Sequence, residues 1–303
     1  MELSFTALAG TLFAPTILFF VLGLIAAFAK SDLSIPEGAA VAHSGIDSTL
    51  IASRGAGIVL SFILPFIAYA LIRSMTRIDT LNASAVAGHY GSISIVTFVT
   101  AVSLLNARSI DSEGYLVAVA AVMEVPAIMS ALWMVARTRN APVFDAKMVH
   151  HILGNGSIVL LVGSFVIGTI TGENGMQELH PFIVVPFTGV LAVFLLDMGL
   201  SAGKSLLVNR HELSWGLFGF GCLMPVVGSL VGYLMAMFVG LSIGGTFLLM
   251  VLSASASYIA VPAAMRLALP EAKSGIYLSL SLGITFPFNL TVGMPFYFYI
   301  ANL

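Results

Sequence analysis

The chain has 303 residues, of which 59% are hydrophobic and 9% charged, and its formal net charge is −2. A soluble globular chain is nearer ~25% charged, so this one lacks the polar surface to coat a water-soluble particle. These figures exclude a soluble enzyme, a disordered regulator and a secreted disulfide scaffold, and they leave a polytopic integral membrane protein.

A helix crossing the hydrocarbon core needs about 20 mostly apolar residues. In chain order, such runs fall at 5–29, 55–72, 84–105, 115–135, 152–170, 182–200, 213–239, 246–269 and 276–300, nine in all. They are solid apolar blocks, which argues for helices and against the short alternating strands of a barrel. The first run lacks a charged leader and a clear cleavage site, so it reads as a true span and not a removable signal. Cys222 is alone in the chain, which rules out an intramolecular disulfide or a cysteine-based metal site. No dense basic patch supports nucleic-acid binding.

Basic residues set the orientation. Arg137, Arg139 and Lys147 share one connection, residues 171–181 hold none, and Lys204 and Arg210 follow. None lies around 240–245, Arg266 and Lys273 come next, and the C-terminus has none. The alternation places the 137–150 connection in the cytoplasm and the C-terminus outside. Working backwards, Arg73 and Arg77 fall inside and Arg108 outside.

Internal similarity adds a second signal. A shift of 161 places Ser92 on Ser253, Ser94 on Ser255, Ala107 on Ala268, Gly114 on Gly275 and Pro126 on Pro287, and a shift of 160 places Pro65 on Pro225. Ser92 lies in an outward-running helix and Ser253 in an inward-running one, so related halves have inverted topology and an odd number of helices each. The second half shows five runs and the first four. The expected fold is therefore all-α and polytopic, with residues 1–140 and 141–303 as inverted repeats of a five-plus-five plan. One first-repeat span is lacking between Lys30 and Arg54, where residues 31–48 are too polar and short to cross; a lost helix and a re-entrant segment both fit.

Inverted repeats with interrupted helices are typical of secondary transporters, whose sites lie near the midplane. Residues 88–94 (Gly-His-Tyr-Gly-Ser-Ile-Ser) suit such an interruption, because glycines loosen the backbone and hydroxyls replace lost hydrogen bonds. Their counterpart is the serine run 253–257, followed by Pro262. Two breaks meeting from opposite repeats would aim helix N-termini and amides at one spot and hold an anion there. Gly91, Ser92, Ser94, Ser253, Ser255 and Ser257 are the candidate anion-binding residues. The competing explanation is that small residues merely let helices pack closely.

Glu124 sits mid-span, two residues before Pro126. A carboxylate at that depth costs about 2.5–3.5 kcal/mol on insertion scales, so it is expected to face a cavity or a cation. Its repeat partner is Thr285, followed by Pro287 and Asn289, and Thr97 shares a helix face with Ser94. Thr97, Glu124, Thr285 and Asn289 make a hard-oxygen set suited to Na+, and Glu124 is equally suited to carry a proton. Asp197 reads as an interfacial residue. His89 and Tyr90 are cavity-lining or packed, and the adjacent His150 and His151 make a poor metal pair.

Enzyme readings fare badly: the chain lacks H-E-x-x-H, a P-loop and a second mid-span aspartate to partner Asp197. A small-anion transporter coupled to Na+ is expected, with no cofactor. Na+/H+ exchange and uptake of another anion are the alternatives within that class, and a channel or non-transporting sensor is the rival from another. Polar groups clustered at two broken helices, without a ring-forming filter motif, favour alternating access.

At these residues the chain resembles the sodium-dependent bicarbonate transporter family of bacterial permeases. The likeness runs through Ser34-Ile35-Pro36-Glu37, the glycine and serine stretch at 88–94, and Glu124-Val125-Pro126-Ala127. It continues through Met198-Gly199, the serines of 253–257 with Pro262, and Thr285-Phe286-Pro287. The resemblance implies a five-plus-five inverted-repeat fold with core and gate domains, a homotrimer in the bacterial inner membrane, and Na+-coupled bicarbonate symport. For some members it also implies inhibition by a PII-like protein on the cytoplasmic face. The chain departs from the pattern by passing almost directly from Ile35-Pro36-Glu37 to His43-Ser44-Gly45, and by its short connection at 140–149, which weakens the case for that partner.

Overall fold

The computed structural model describes residues 48–139, isolated positions between 189 and 211, and 213–303 apart from a few positions. The expected runs 5–29 and 152–170, the polar stretch 31–47, the 140–149 connection, His150, His151 and most of 182–200 lie outside the described residues.

Every regular element described is helical. We number them α1 (Ser48–Met75), α2 (Thr80–Gly91), α3 (Ile95–Ala107), α4 (Leu116–Arg139), α5 (Trp215–Val239), α6 (Ile243–Ala254) and α7 (Ser274–Ala301). Among the described residues, four stretches are long and apolar enough to cross a membrane: Ile51–Met75, Thr80–Ala107, Trp215–Val239 and Ser274–Ala301. The second of these is α2 and α3 taken together, so the apolar run read at 84–105 is one stretch made of two helices.

Helix α1 packs on α2, α4 and α5, while α5 packs on α6 and α7. Serine hydroxyls sew α1 to α4: Ser61 donates to the Met123 carbonyl, and Ser130 shares its one proton between Phe62 O of α1 at 3.1 Å and Pro126 O of its own helix at 2.8 Å. Pro65 and Pro126 free the carbonyls of Ser61 and Val122, each one residue before an acceptor of these bonds, Phe62 and Met123. Close approach needs small residues at two contacts. A Cβ on Gly91 would strike the Pro65 ring, and one on Gly232 would come within 2.6 Å of Ser253 Oγ.

Helix α7 is not regular. Its hydrogen bonding widens to π geometry over Ser279–Thr285 and Asn289–Gly293, flanking a short α-helical piece at Phe286–Phe288. Pro287 explains part of this, since it offers no N–H and its ring crowds the carbonyl four residues back. π segments inside α-helices occur mostly at functional sites.

The two ends of the bundle carry different polar clasps. At one end Asp79 caps α2, and Lys273 N donates to Asn82 Oδ1 at 2.7 Å. At the other, Glu113 accepts from Ser242 N at 2.6 Å and Ser242 Oγ at 2.9 Å, fastening the α3–α4 connection to the start of α6. Arg108 stacks over Phe298, 4.6 Å from the ring centroid, near that second end. The first end is the one that the charge distribution leads us to expect on the cytoplasmic side.

Candidate functional site

Glycines and serines shape both interruptions. Helix α2 stops at Gly91, Ser92 takes extended backbone angles (φ −97°, ψ 170°), and α3 restarts after Ser94 (φ −104°, ψ 106°). Ser94 caps the restart: its Oγ accepts from Thr97 N at 3.3 Å and Thr97 Oγ1 at 2.8 Å, and its carbonyl accepts from Phe98 N. Of the first-turn amides, those of Ile95 and Val96 are outside the helix's own bonding.

The second interruption follows α6. Ser255 ends that helix in an extended conformation (φ −76°, ψ 159°), residues 255–257 are non-helical, and Val261 and Pro262 are helical again. Ser257 Oγ accepts from Val261 N at 3.3 Å, so it caps the restart much as Ser94 does in the first break. The apolar run read at 246–269 is therefore broken as well.

The two breaks touch. Ser257 N donates to His89 O at 2.8 Å, linking the second break to the last turn of α2. His89 itself is fully buried; its Nδ1 lies 2.6 Å from Ala85 O, and its ring stacks on Tyr277 at 4.5 Å. Because a carbonyl only accepts, the proton is on Nδ1, and in the neutral ring Nε2 is left as an acceptor. Among the described residues, no partner reaches His89 Nε2 or Ser92 Oγ, both buried.

The candidate anion residues fall into distinct environments. Ser92, Ser94 and Ser257 lie at the junction, buried to within 4% exposure. Ser94 and Ser257 use their oxygens as acceptors, so each hydroxyl keeps its proton to donate. Ser255 Oγ donates to Val251 O at 2.6 Å inside its own helix. Ser253 Oγ is buried without a hydrogen-bond partner among the described residues and faces the position where Gly232 lacks a side chain. That contact is the close helix packing that small residues permit.

The candidate cation residues are all buried: Thr97, Glu124, Thr285 and Asn289. The structure joins Thr97 to the serine break through Ser94. Thr285 Oγ1 donates to Gly221 O at 2.7 Å and lies 2.6 Å from Tyr90 Oη, which must then be the donor to it. Asn289 donates to Ala254 O at 2.9 Å, holding the end of α6, and accepts from Tyr297 Oη at 2.7 Å. Each of these two oxygens keeps one lone pair. Glu124 sits in α4 next to Met123, whose carbonyl takes the Ser61 hydroxyl.

Tyr258, Tyr277 and Tyr297 were not legible as part of this region. Tyr258 packs edge-on against Phe286 at 5.3 Å, placing the second break beside α7. Among the described residues, no group of His, Cys, Asp and Glu side chains is arranged to hold a metal ion.

The family model of the Na+-dependent bicarbonate transporter superfamily matches residues 37–302. No curated protein matches the chain. The chain belongs to the Na+-dependent bicarbonate transporter superfamily, a group of transporters and not of enzymes, as the serine and proline motifs led us to expect.

Proposed function

We propose that this member of the superfamily takes up bicarbonate together with Na+ by alternating access. The observation that carries the proposal is the junction of two broken helices, where Ser257 N meets His89 O at 2.8 Å and the buried Ser92 hydroxyl has no partner among the described residues. Discontinuous helices that cross at mid-depth are the usual way such transporters present helix N-termini to an anion and helix C-termini to a cation.

Bicarbonate is small, planar and singly charged, and it accepts hydrogen bonds on every oxygen. The hydroxyls of Ser92, Ser94 and Ser257 and the first-turn amides of α3 supply donors without a basic side chain. Gly91 lets the end of α2 close against Pro65, while Ser253 and Ser255 shape the break through packing and an internal hydrogen bond. For Na+, Glu124 supplies the negative charge, and Thr97, Thr285 and Asn289 supply neutral oxygens from α3 and α7. Oxygen donors with a single carboxylate suit a hard monovalent ion.

The wider organisation we propose is the inverted pair of repeats, 1–140 and 141–303, on a five-plus-five plan short of one helix. Support comes from the two breaks and from the prolines of α4 and α7, which stand at corresponding positions under the shift of 161. We place the protein as a multi-pass homotrimer in the bacterial inner membrane, as the family resemblance implies. Uptake of bicarbonate into sealed vesicles under an imposed Na+ gradient tests the function.

A further inference from the structure

We propose that the cleft at the cytoplasmic end of the bundle binds the phosphate of an anionic phospholipid headgroup. The cleft encloses about 960 Å³ between the α1–α2 turn, the start of α5 and the start of α7. Among the described residues, its rim carries Arg73, Arg77 and Lys273 against one carboxylate, Asp79. Asp79 is turned to its own helix, where it accepts from Asn82 N at 3.0 Å and Asn82 Nδ2 at 2.6 Å, so its charge is matched to the helix N-terminus. The Arg73 guanidinium donates one of its N–H groups to the Ile78 carbonyl. That bond braces it across the turn and leaves further donors of its fork for a phosphate.

The shape of the cleft is held by backbone contacts. A Cβ on Gly216 would run into the Met75 carbonyl, so α5 begins directly against the end of α1. Lys273 N on Asn82 Oδ1 fixes the α7 side.

The aromatic residues point to lipid as the source of the phosphate. Trp215 is 90% exposed and Phe218 49% exposed, and their rings meet edge-to-face at 6.2 Å. An exposed Trp at the end of an apolar helix sits at headgroup depth. Basic pockets between transmembrane helices on the cytoplasmic side are built to take anionic headgroups. An ion arriving from bulk solvent would gain nothing from Trp215.

The test is equilibrium binding of phosphatidylglycerol to the full chain in neutral detergent, with phosphatidylcholine as the zwitterionic control and inorganic phosphate as a soluble competitor. Tryptophan emission serves as the readout in a Trp133→Phe background, which leaves Trp215 as the sole reporter. Selective, saturable binding of phosphatidylglycerol is expected. It should weaken about fivefold in Arg77→Gln and in Lys273→Gln, with circular dichroism unchanged. Competition by millimolar inorganic phosphate should be slight. Equal response to both lipids with no change in the variants would overturn the site. Full competition by inorganic phosphate, with the same dependence on Arg77 and Lys273, would overturn the lipid as the source. Neither outcome depends on transport activity.

Discussion

Ser257 donates its backbone amide to the carbonyl of His89, and that one bond ties the second helix break to the end of the helix that precedes the first. In a bilayer, freed backbone groups find no water, so each must be satisfied inside the protein or by the transported ions. The bond accounts for one amide and one carbonyl at the crossing. The Ser92 hydroxyl and the α3 first-turn amides are the donors that the proposed uptake would use for its anion.

The serines of the two breaks should therefore differ in effect. A hydrogen bond to a charged partner contributes about 1.5–3 kcal/mol, so Ser92→Ala and Ser257→Ala should each raise the apparent bicarbonate constant about tenfold or more. Ser253→Ala and Ser255→Ala should leave it within about twofold, since their side chains face Gly232 and Val251 O. Uptake kinetics on the four variants check the split, and equal losses in all four would remove the distinction.

In the proposed cation site Glu124 is the residue that would supply the negative charge. Glu124→Gln keeps the shape and removes the charge, so the Na+ concentration for half-maximal uptake should rise at least about tenfold while the bicarbonate constant at saturating Na+ changes little. An unaltered Na+ response would remove Glu124 from the cation site.

Asn289 has a structural duty that is separable from any ion contact. It holds Ala254 O at the end of α6 and takes the Tyr297 hydroxyl. Asn289→Ala leaves that carbonyl and that hydroxyl without their partner, at a cost of about 1–3 kcal/mol. The melting temperature in detergent should fall, whether or not Na+ is present. A loss confined to Na+-containing buffer would instead mark Asn289 as purely an ion ligand.

Asp79 gives a pH signature outside the membrane-spanning segments. Burial works to raise its pKa, but the side-chain and backbone hydrogen bonds from Asn82 outweigh it and hold the carboxyl below its ordinary value. A depressed folded-state pKa contributes stability above the unfolded value, near ~3.9, and that contribution is lost as pH falls through the folded pKa. Asp79→Asn should be less stable than the parent at neutral pH, and the gap should close below about pH 4. Melting curves across that range check it.

Much of the helix pattern was legible because hydropathy reports span length directly. Both breaks were legible too, although the helices run to Gly91 and Ala254 and the interruptions begin only at Ser92 and Ser255, later than the first glycine and the first serine of each motif. The π segments of α7 were not. They arise where Pro287 disturbs a chain whose side chains are otherwise helix-compatible, and hydropathy registers composition, not hydrogen-bond register. The Glu113–Ser242 clasp and the Asn82–Lys273 link were hidden for another reason, because polar pairs far apart in the chain leave no periodic trace. Ser255 was read as an anion donor from its place in the serine run, and only the geometry shows that its proton goes to Val251 O.

The most direct test of coupled uptake is flux into proteoliposomes containing the purified chain, with labelled bicarbonate outside and Na+ imposed inward, outward or equal on both sides. The predicted result is saturable accumulation above the external concentration under an inward Na+ gradient, and none when Na+ is equal on both sides. Bicarbonate entry that merely equilibrates, at a rate indifferent to Na+, would contradict coupled transport and identify a channel.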